Sequence, residues 1–301
     1  MSVRIGLGSV RTGSGAPGPE LAELVDACEE HGVDSVWLAD QASTPSIDPV
    51  VGLAYAAGRT RTLKLGTGVI VLPGRNPMLV AAQLASLVAL APKRILPSFG
   101  LRPASPAERT LFPVPDGQRA AVFDEALTVL RRLLTEPVVT HHGAFFHLDD
   151  ARVGPLPERP LDLWLGGQAP AALRRIGRLA DGWLGAFLTP GEAAACRTGI
   201  EAAAAEAGRA IEDDHYGTNL AVLPSGVSDA ERDDALAAAA KRRPELDPHL
   251  LVADGWAAAR EHVRAFVDVG VTKFVVHPGV PVPSWRGFVD AFAAELLPEQ
   301  T

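Results

Sequence analysis

The sequence predicts a closed barrel of eight parallel strands, each followed by a helix. Three observations lead there. Eight apolar runs of strand length alternate with helical patterns along the 301 residues, which implies parallel pairing through right-handed crossovers. That count is the count of a (β/α)8 TIM barrel, and such barrels reach this length as one domain, here 1–301. An open doubly wound sheet would carry a glycine-rich phosphate turn after its first strand, whereas Gly6-Leu7-Gly8 runs on into Ser9-Val10-Arg11.

The elements follow in order. Strand 1 spans 3–8, and an amphipathic helix at 19–31 is ended by Gly32. Strand 2 is 35–38. Asp48 caps and Pro49 starts a helix through Ala57. Strand 3 is 63–71, and Asn76-Pro77 opens a helix to Leu90. Strand 4 is 94–99, followed by a proline-rich connection and a helix at 118–134. An excursion at 138–148 reads as a β-hairpin around His142-Gly143. Strands 5, 6, 7 and 8 are 161–165, 182–186, 218–223 and 272–277. Helical patterns at 169–179, 190–208, 229–241, 255–269 and 285–297 complete the alternation. The connections at 9–18, 100–117 and 241–254 read as loops that choose the substrate.

Composition narrows the function. With 47% hydrophobic and 21% charged residues and mean hydropathy +0.12, the chain can bury enough surface to offset its conformational entropy. A net charge of −8 and a pI near 5.5 offer no basic footprint for nucleic acid. Cys28 and Cys196 cannot make a disulfide framework, and the longest uncharged stretch, 76–92, holds Asn76, Gln83 and two prolines. A soluble cytoplasmic protein without a membrane segment is expected. The helices at 49–58 and 76–92 carry no charge, although an outer barrel helix should show water a polar face. That predicts a homodimer through these two helices, with a local loop as the other possible cover.

The ordered motifs resemble the bacterial luciferase-like superfamily, in its coenzyme F420 (deazaflavin)-dependent oxidoreductase branch. They are Gly32-Val33-Asp34-Ser35-Val36-Trp37-Leu38-Ala39-Asp40, then Leu65-Gly66-Thr67-Gly68-Val69-Ile70-Val71-Leu72-Pro73 with Arg75-Asn76-Pro77, and Leu163-Trp164-Leu165-Gly166-Gly167 running on to Leu184. Phe123-Asp124-Glu125-Ala126-Leu127 and Leu296-Leu297-Pro298 also match. The resemblance spans nearly the whole chain and implies a luciferase-like barrel with insertion segments.

In a barrel the C-terminal ends of the strands line the site. Asp40 and Gln41 end strand 2. Asp40 either caps the following turn or, as the resemblance implies, faces the cofactor with Gln41. Many relatives carry histidine at the Gln41 position, and glutamine orients but cannot exchange a proton near neutral pH. Gly66-Thr67-Gly68-Val69 either makes room for packing or, as the resemblance implies, forms a bulge with a non-proline cis bond at Gly68-Val69 pressed against the cofactor ring. Gly166-Gly167-Gln168 is either a tight turn or a phosphate cradle at a helix start. Arg75 is placed to reach the cofactor's phosphate or acidic tail, and Lys241-Arg242-Arg243 is a weaker candidate for the same task. Arg102 stands about where many relatives place an acid, which argues against copying a sugar-phosphate dehydrogenase mechanism.

His277 ends strand 8 and is, with Asp40 and a bound water, a candidate proton source, and it joins Asp40 and Gln41 as a candidate catalytic residue. His141 and His142 lack metal-ligand spacing, so no metal is expected. Trp37 and Trp183 read as core. The first reading is therefore an F420-dependent enzyme that passes a hydride to or from a small-molecule substrate, with reduction of an activated C=C or C=N bond favoured. The alternatives are an FMN-dependent luciferase-like monooxygenase and a non-catalytic cofactor-binding subunit.

Overall fold

The computed structural model describes residues 2–8, 16–44, 46–103 and 105–301. Most of the 9–18 loop, with residues 45 and 104, lies outside them. The elements are β1 (Arg4–Gly8), α1 (Pro17–Glu30), β2 (Ser35–Leu38), α2 (Pro49–Arg59), β3 (Lys64–Thr67), β4 (Ile70–Val71), α3 (Pro77–Leu90), β5 (Ile95–Leu96) and β6 (Ser98–Gly100). They continue with α4 (Arg119–Thr135), β7 (Val139–His142), β8 (His147–Ala151), β9 (Trp164–Gly166), α5 (Pro170–Leu179), β10 (Gly182–Gly185) and α6 (Pro190–Glu206). The rest are β11 (Tyr216–Leu223), α7 (Asp229–Arg242), β12 (Val252–Asp254), α8 (Trp256–Val267), β13 (Lys273–Pro278) and α9 (Trp285–Glu295).

The helix starts follow from local chemistry. Asp48 accepts from the N–H groups of Val50 and Val51, and Asn76 from those of Met78 and Leu79, each ahead of a proline at the first helical position. Reciprocal capping boxes, Thr189 with Glu192 and Ser228 with Glu231, start α6 and α7. Gly32 takes φ +67° after α1, the left-handed residue that ends the helix.

The expected barrel is present and closed. β1 pairs with β13 and β2, β2 with β3, β9 with β6 and β10, and β11 with β10 and β13, all parallel. Two strands are each broken in the middle. β3 and β4 are halves of strand 3, interrupted at Gly68-Val69, and β5 and β6 are halves of strand 4, interrupted at Pro97. Because β3 pairs with β5 and β4 with β6, the ring closes across both breaks. Thr67 holds the breaks in register: its hydroxyl donates to Ser98 O (2.9 Å) and accepts from Ser98 N (2.8 Å).

The interior of the ring is filled by Trp37, Trp164, Leu184 and Val275, with Val69 and Leu96 packed against them. Trp37 and Trp164 meet edge to face at 6.4 Å. Neighbouring strands give these indoles room: a Cβ on Gly66 would lie 2.4 Å from the Trp37 ring, and one on Gly182 would lie 2.4 Å from the Trp164 ring. At the N-terminal end Lys64 (2.8 Å) and the buried Lys273 both pair with Asp34. The helices pack outside on the main core.

One reading of the sequence needs correction. The segment 241–254 is not a loop throughout, because it holds β12, which adds in parallel to the C-terminal half of β11. A small separate core of Leu223, Leu251, Val252 and Val280 pays for this extra strand. The excursion at 138–148 is a hairpin of β7 and β8, as expected. Glu125 clamps its tip, accepting from the N–H groups of Ala144, Phe145 and Phe146 and meeting His141 Nε2 at 3.1 Å.

Candidate active site

The C-terminal ends of the barrel strands bring most of the sequence-predicted residues to one rim. Gly68-Val69 is a cis peptide bond, as expected from the motif. Past it, the Val69 side chain lies between the ends of two further strands. A Cβ on Gly100 would be 2.6 Å from Val69 Cγ2, and one on Gly166 would be 3.6 Å from Val69 Cγ1. Val69 is half-buried and sits on the tryptophan plug, so the rim has an apolar floor packed against Gly100 and Gly166.

Asp40 does not cap the turn that follows it. Its buried carboxylate accepts from Val71 N (3.1 Å) and from Arg75 Nη2 (2.8 Å), while Asp40 N donates to Val69 O (3.3 Å). The residue therefore braces the interrupted strand 3 from beside it. Arg75 is held three ways: by Asp40, by donating from Nε to Val71 O (3.0 Å), and over the Phe112 ring at 5.2 Å. Its expected task on a cofactor phosphate is therefore accompanied by a structural one. Thr67 likewise spends its hydroxyl on Ser98. Gln41 is half-buried, with Oε1 accepting from Thr44 Oγ1 at 3.3 Å.

Gly166-Gly167-Gln168 leads into α5. Gly167 takes φ +129°, where a side chain is strained, and a Cβ there would meet Ala172 at 2.9 Å. Trp183 Nε1 pins the turn by donating to Gly167 O at 2.8 Å. The Gly167 N–H continues the parallel ladder of β9 with β10, whereas the Gln168 N–H has no acceptor among the described residues, and both residues are exposed just before a helix. Such a turn is suited to an oxyanion.

His277 is half-buried at the end of β13, with its Cβ 3.6 Å from where a Cβ on Gly8 would stand. Burial pushes its imidazole below the usual histidine range, and Nδ1 lies 3.4 Å from Pro278 O. The ring is therefore neutral near pH 7, able to hold a proton on one nitrogen and accept on the other.

Residues that the sequence did not single out complete the rim. Glu108 is buried in the loop after strand 4 and accepts from Ser43 N (2.8 Å) and Ser43 Oγ (2.6 Å), strapping that loop to the end of β2. Phe112 supports Arg75 from above, and its carbonyl accepts from Arg119 Nη2 at 2.7 Å. Phe187, just past β10, takes φ +55°. No residue pattern marks Glu108 or Phe112, because their partners lie far away in the chain. Of the Lys241-Arg242-Arg243 cluster, Arg243 is not solvated: it binds Glu192, Glu245 and Phe187 O.

The profile of the luciferase-like monooxygenase family matches residues 4–279. The chain belongs to the luciferase-like monooxygenase family. An F420-dependent glucose-6-phosphate dehydrogenase of Kineococcus radiotolerans is 27% identical over 322 aligned positions, covering 94% of this chain and 93% of that one. Two solved structures share the fold. They are the monooxygenase RslO1 of Streptomyces bottropensis (TM-score 0.81, 20% identity, 98% and 99% covered) and a coenzyme F420-dependent tetrahydromethanopterin reductase of Methanopyrus kandleri (TM-score 0.79, 18% identity, all of both chains). Among the described residues no helix of this luciferase-like protein is long and apolar enough to cross a membrane.

Proposed function

We propose that the chain is a coenzyme F420-dependent oxidoreductase that passes a hydride between the deazaflavin and a small organic substrate, reducing an activated C=C or C=N bond. The observation that carries this is one rim joining two features. Val69, seated between Gly100 and Gly166, makes an apolar surface, and the exposed Gly167-Gln168 turn ahead of α5, with the Gln168 N–H free of any acceptor among the described residues, follows the strand that carries Gly166. The residues present therefore fit a planar ring with an anionic side arm. The F420-dependent relatives, at 27% and 28% identity, support the choice of deazaflavin over FMN.

When bound, the deazaflavin supplies the hydride. The chain does the rest. Val69 with the glycines at 100 and 166 would lie against the ring, and the turn ahead of α5 would hold a phosphate. Asp40 and Arg75 fix the strand that carries Val69. Reduction of a C=C or C=N bond also takes up a proton, and the neutral His277 can relay one from water, donating from one ring nitrogen while accepting on the other. Gln41 orients a polar atom without exchanging a proton.

We also propose that the working form is a homodimer through α2 and α3. Val51 and Tyr55 on α2 and Leu79 and Leu90 on α3 are exposed at 64%, 43%, 65% and 62%, on helices in contact with each other. Two adjacent apolar stripes of this kind mark an interface.

The test of activity is anaerobic single turnover with reduced F420 against a panel of enones and cyclic imines. Oxidation of the cofactor coupled one-to-one to a reduced product supports the proposal. Oxygen-dependent product with reduced FMN, and none with reduced F420, refutes it.

A further inference from the structure

We infer that Phe187 is a substrate platform and that the substrate presents it a flat apolar group, an aryl ring or a conjugated chain. This rests on the oxidoreductase reading and adds the substrate class. Phe187 stands two residues past the end of β10, on the rim that holds Val69 and Gly167. Its φ of +55° is one that side chains disfavour, and the residue is 43% exposed, so burial does not account for the conformation.

Two arginines contact the residue in that conformation. Arg243 donates to Phe187 O and is itself held by Glu192 and Glu245, while Glu192 belongs to the capping box of α6. The Arg242 guanidinium lies 4.7 Å from the Phe187 ring centroid and has no carboxylate partner among the described residues. Two helices and a loop thus hold an exposed aromatic ring in a disfavoured geometry at the mouth of a barrel. Strain that is over-determined by its surroundings concentrates at functional sites, and glycine or asparagine would make the same turn without it. The exposed part of the ring offers dispersion and a π face but no hydrogen-bonding atom. It suits a planar apolar group and is a poor partner for a hydroxyl-rich sugar.

The experiment uses full-length protein saturated with oxidised F420, which has no hydride to give, so enones bind without turnover. Affinities for benzylideneacetone and for its methyl counterpart ethylideneacetone are measured by calorimetry on the wild type, Phe187→Gly and Phe187→Tyr. Glycine accepts φ +55° freely, so Phe187→Gly keeps the fold and its thermal midpoint does not fall. The expected result is a wild-type preference for the aryl enone that drops about five- to tenfold in Phe187→Gly and persists in Phe187→Tyr, with F420 affinity constant. An equal preference in Phe187→Gly and wild type, or none in the wild type, overturns the inference. Loss of F420 binding in the wild type with the aryl preference intact overturns the cofactor reading instead and leaves the platform standing.

Discussion

Asp40, just past β2, and Arg75, just past β4, form an ion pair of 2.8 Å beside Gly68-Val69, and the same carboxylate oxygen accepts from Val71 N. The pair joins residues 35 positions apart and sets the height at which Val69 meets the rim. Removing the carboxylate leaves Arg75 and a strand N–H unpaired. Asp40→Ala is expected to cost about 2–3 kcal/mol, because the acid is buried while the guanidinium is partly in water. Asp40→Asn, which keeps an acceptor for Val71 N, is expected to cost less. Urea unfolding of the two variants checks the order, and equal stability of Asp40→Ala and wild type contradicts it.

Two glycine substitutions separate the plug from the rim. Gly66→Ala drives a methyl to 2.4 Å from the Trp37 ring inside the barrel, and should lower stability by about 1–3 kcal/mol. Gly100→Ala drives one to 2.6 Å from Val69 Cγ2, at the half-buried edge, where the valine can turn aside into the space the cofactor needs. Gly100→Ala is therefore expected to weaken F420 binding tenfold or more, about 1.4 kcal/mol, with a smaller stability loss than Gly66→Ala. Differential scanning calorimetry beside cofactor titration measures both effects, and a reversed order of stability losses would argue against this division.

Acid should weaken the fold before its carboxylates titrate. Burial pushes His277 and His262 below the ordinary histidine value of 6.5. On acidification the unfolded chain takes up these protons first, so it binds more protons than the folded chain in that window. Stability is then present above pH 6.5 and falls as pH drops through the folded-state values. The thermal midpoint of wild type is expected to decline between about pH 7 and pH 5.5, and His262→Gln should flatten that decline. A steeper decline in His262→Gln would reverse the sign and refute the assignment.

The exposed stripes on α2 and α3 predict a dimer in sedimentation velocity at micromolar concentration. Leu79→Glu puts a charge in the stripe and should yield monomers. A wild type that sediments as a monomer removes the proposed interface.

The alternation of strands and helices was legible in the sequence because local signals marked it: Asp48-Pro49, Asn76-Pro77 and Gly32 stand where helices start or stop. β12 was not legible. Val252 to Asp254 is three residues long and owes its strand form to β11, a long-range partner that no local pattern encodes. At the site, the break at Gly68-Val69 was legible only through the family resemblance, because the glycines of strands 3 and 5 taken alone fit barrel packing or a tight turn equally well. The bracing of Asp40 by Arg75 was not, since each residue taken alone fits a turn cap or an anion ligand equally well. Phe187 gave no sign at all, because a left-handed phenylalanine differs from an ordinary one only in its backbone angle.

The central claim is that this rim holds a deazaflavin. Direct titration of the protein with oxidised F420 and, separately, with FMN tests it, read by quenching of cofactor fluorescence. The account predicts saturable binding of F420 at about micromolar Kd, with FMN at least tenfold weaker. Tight binding of FMN with no response to F420 would contradict it.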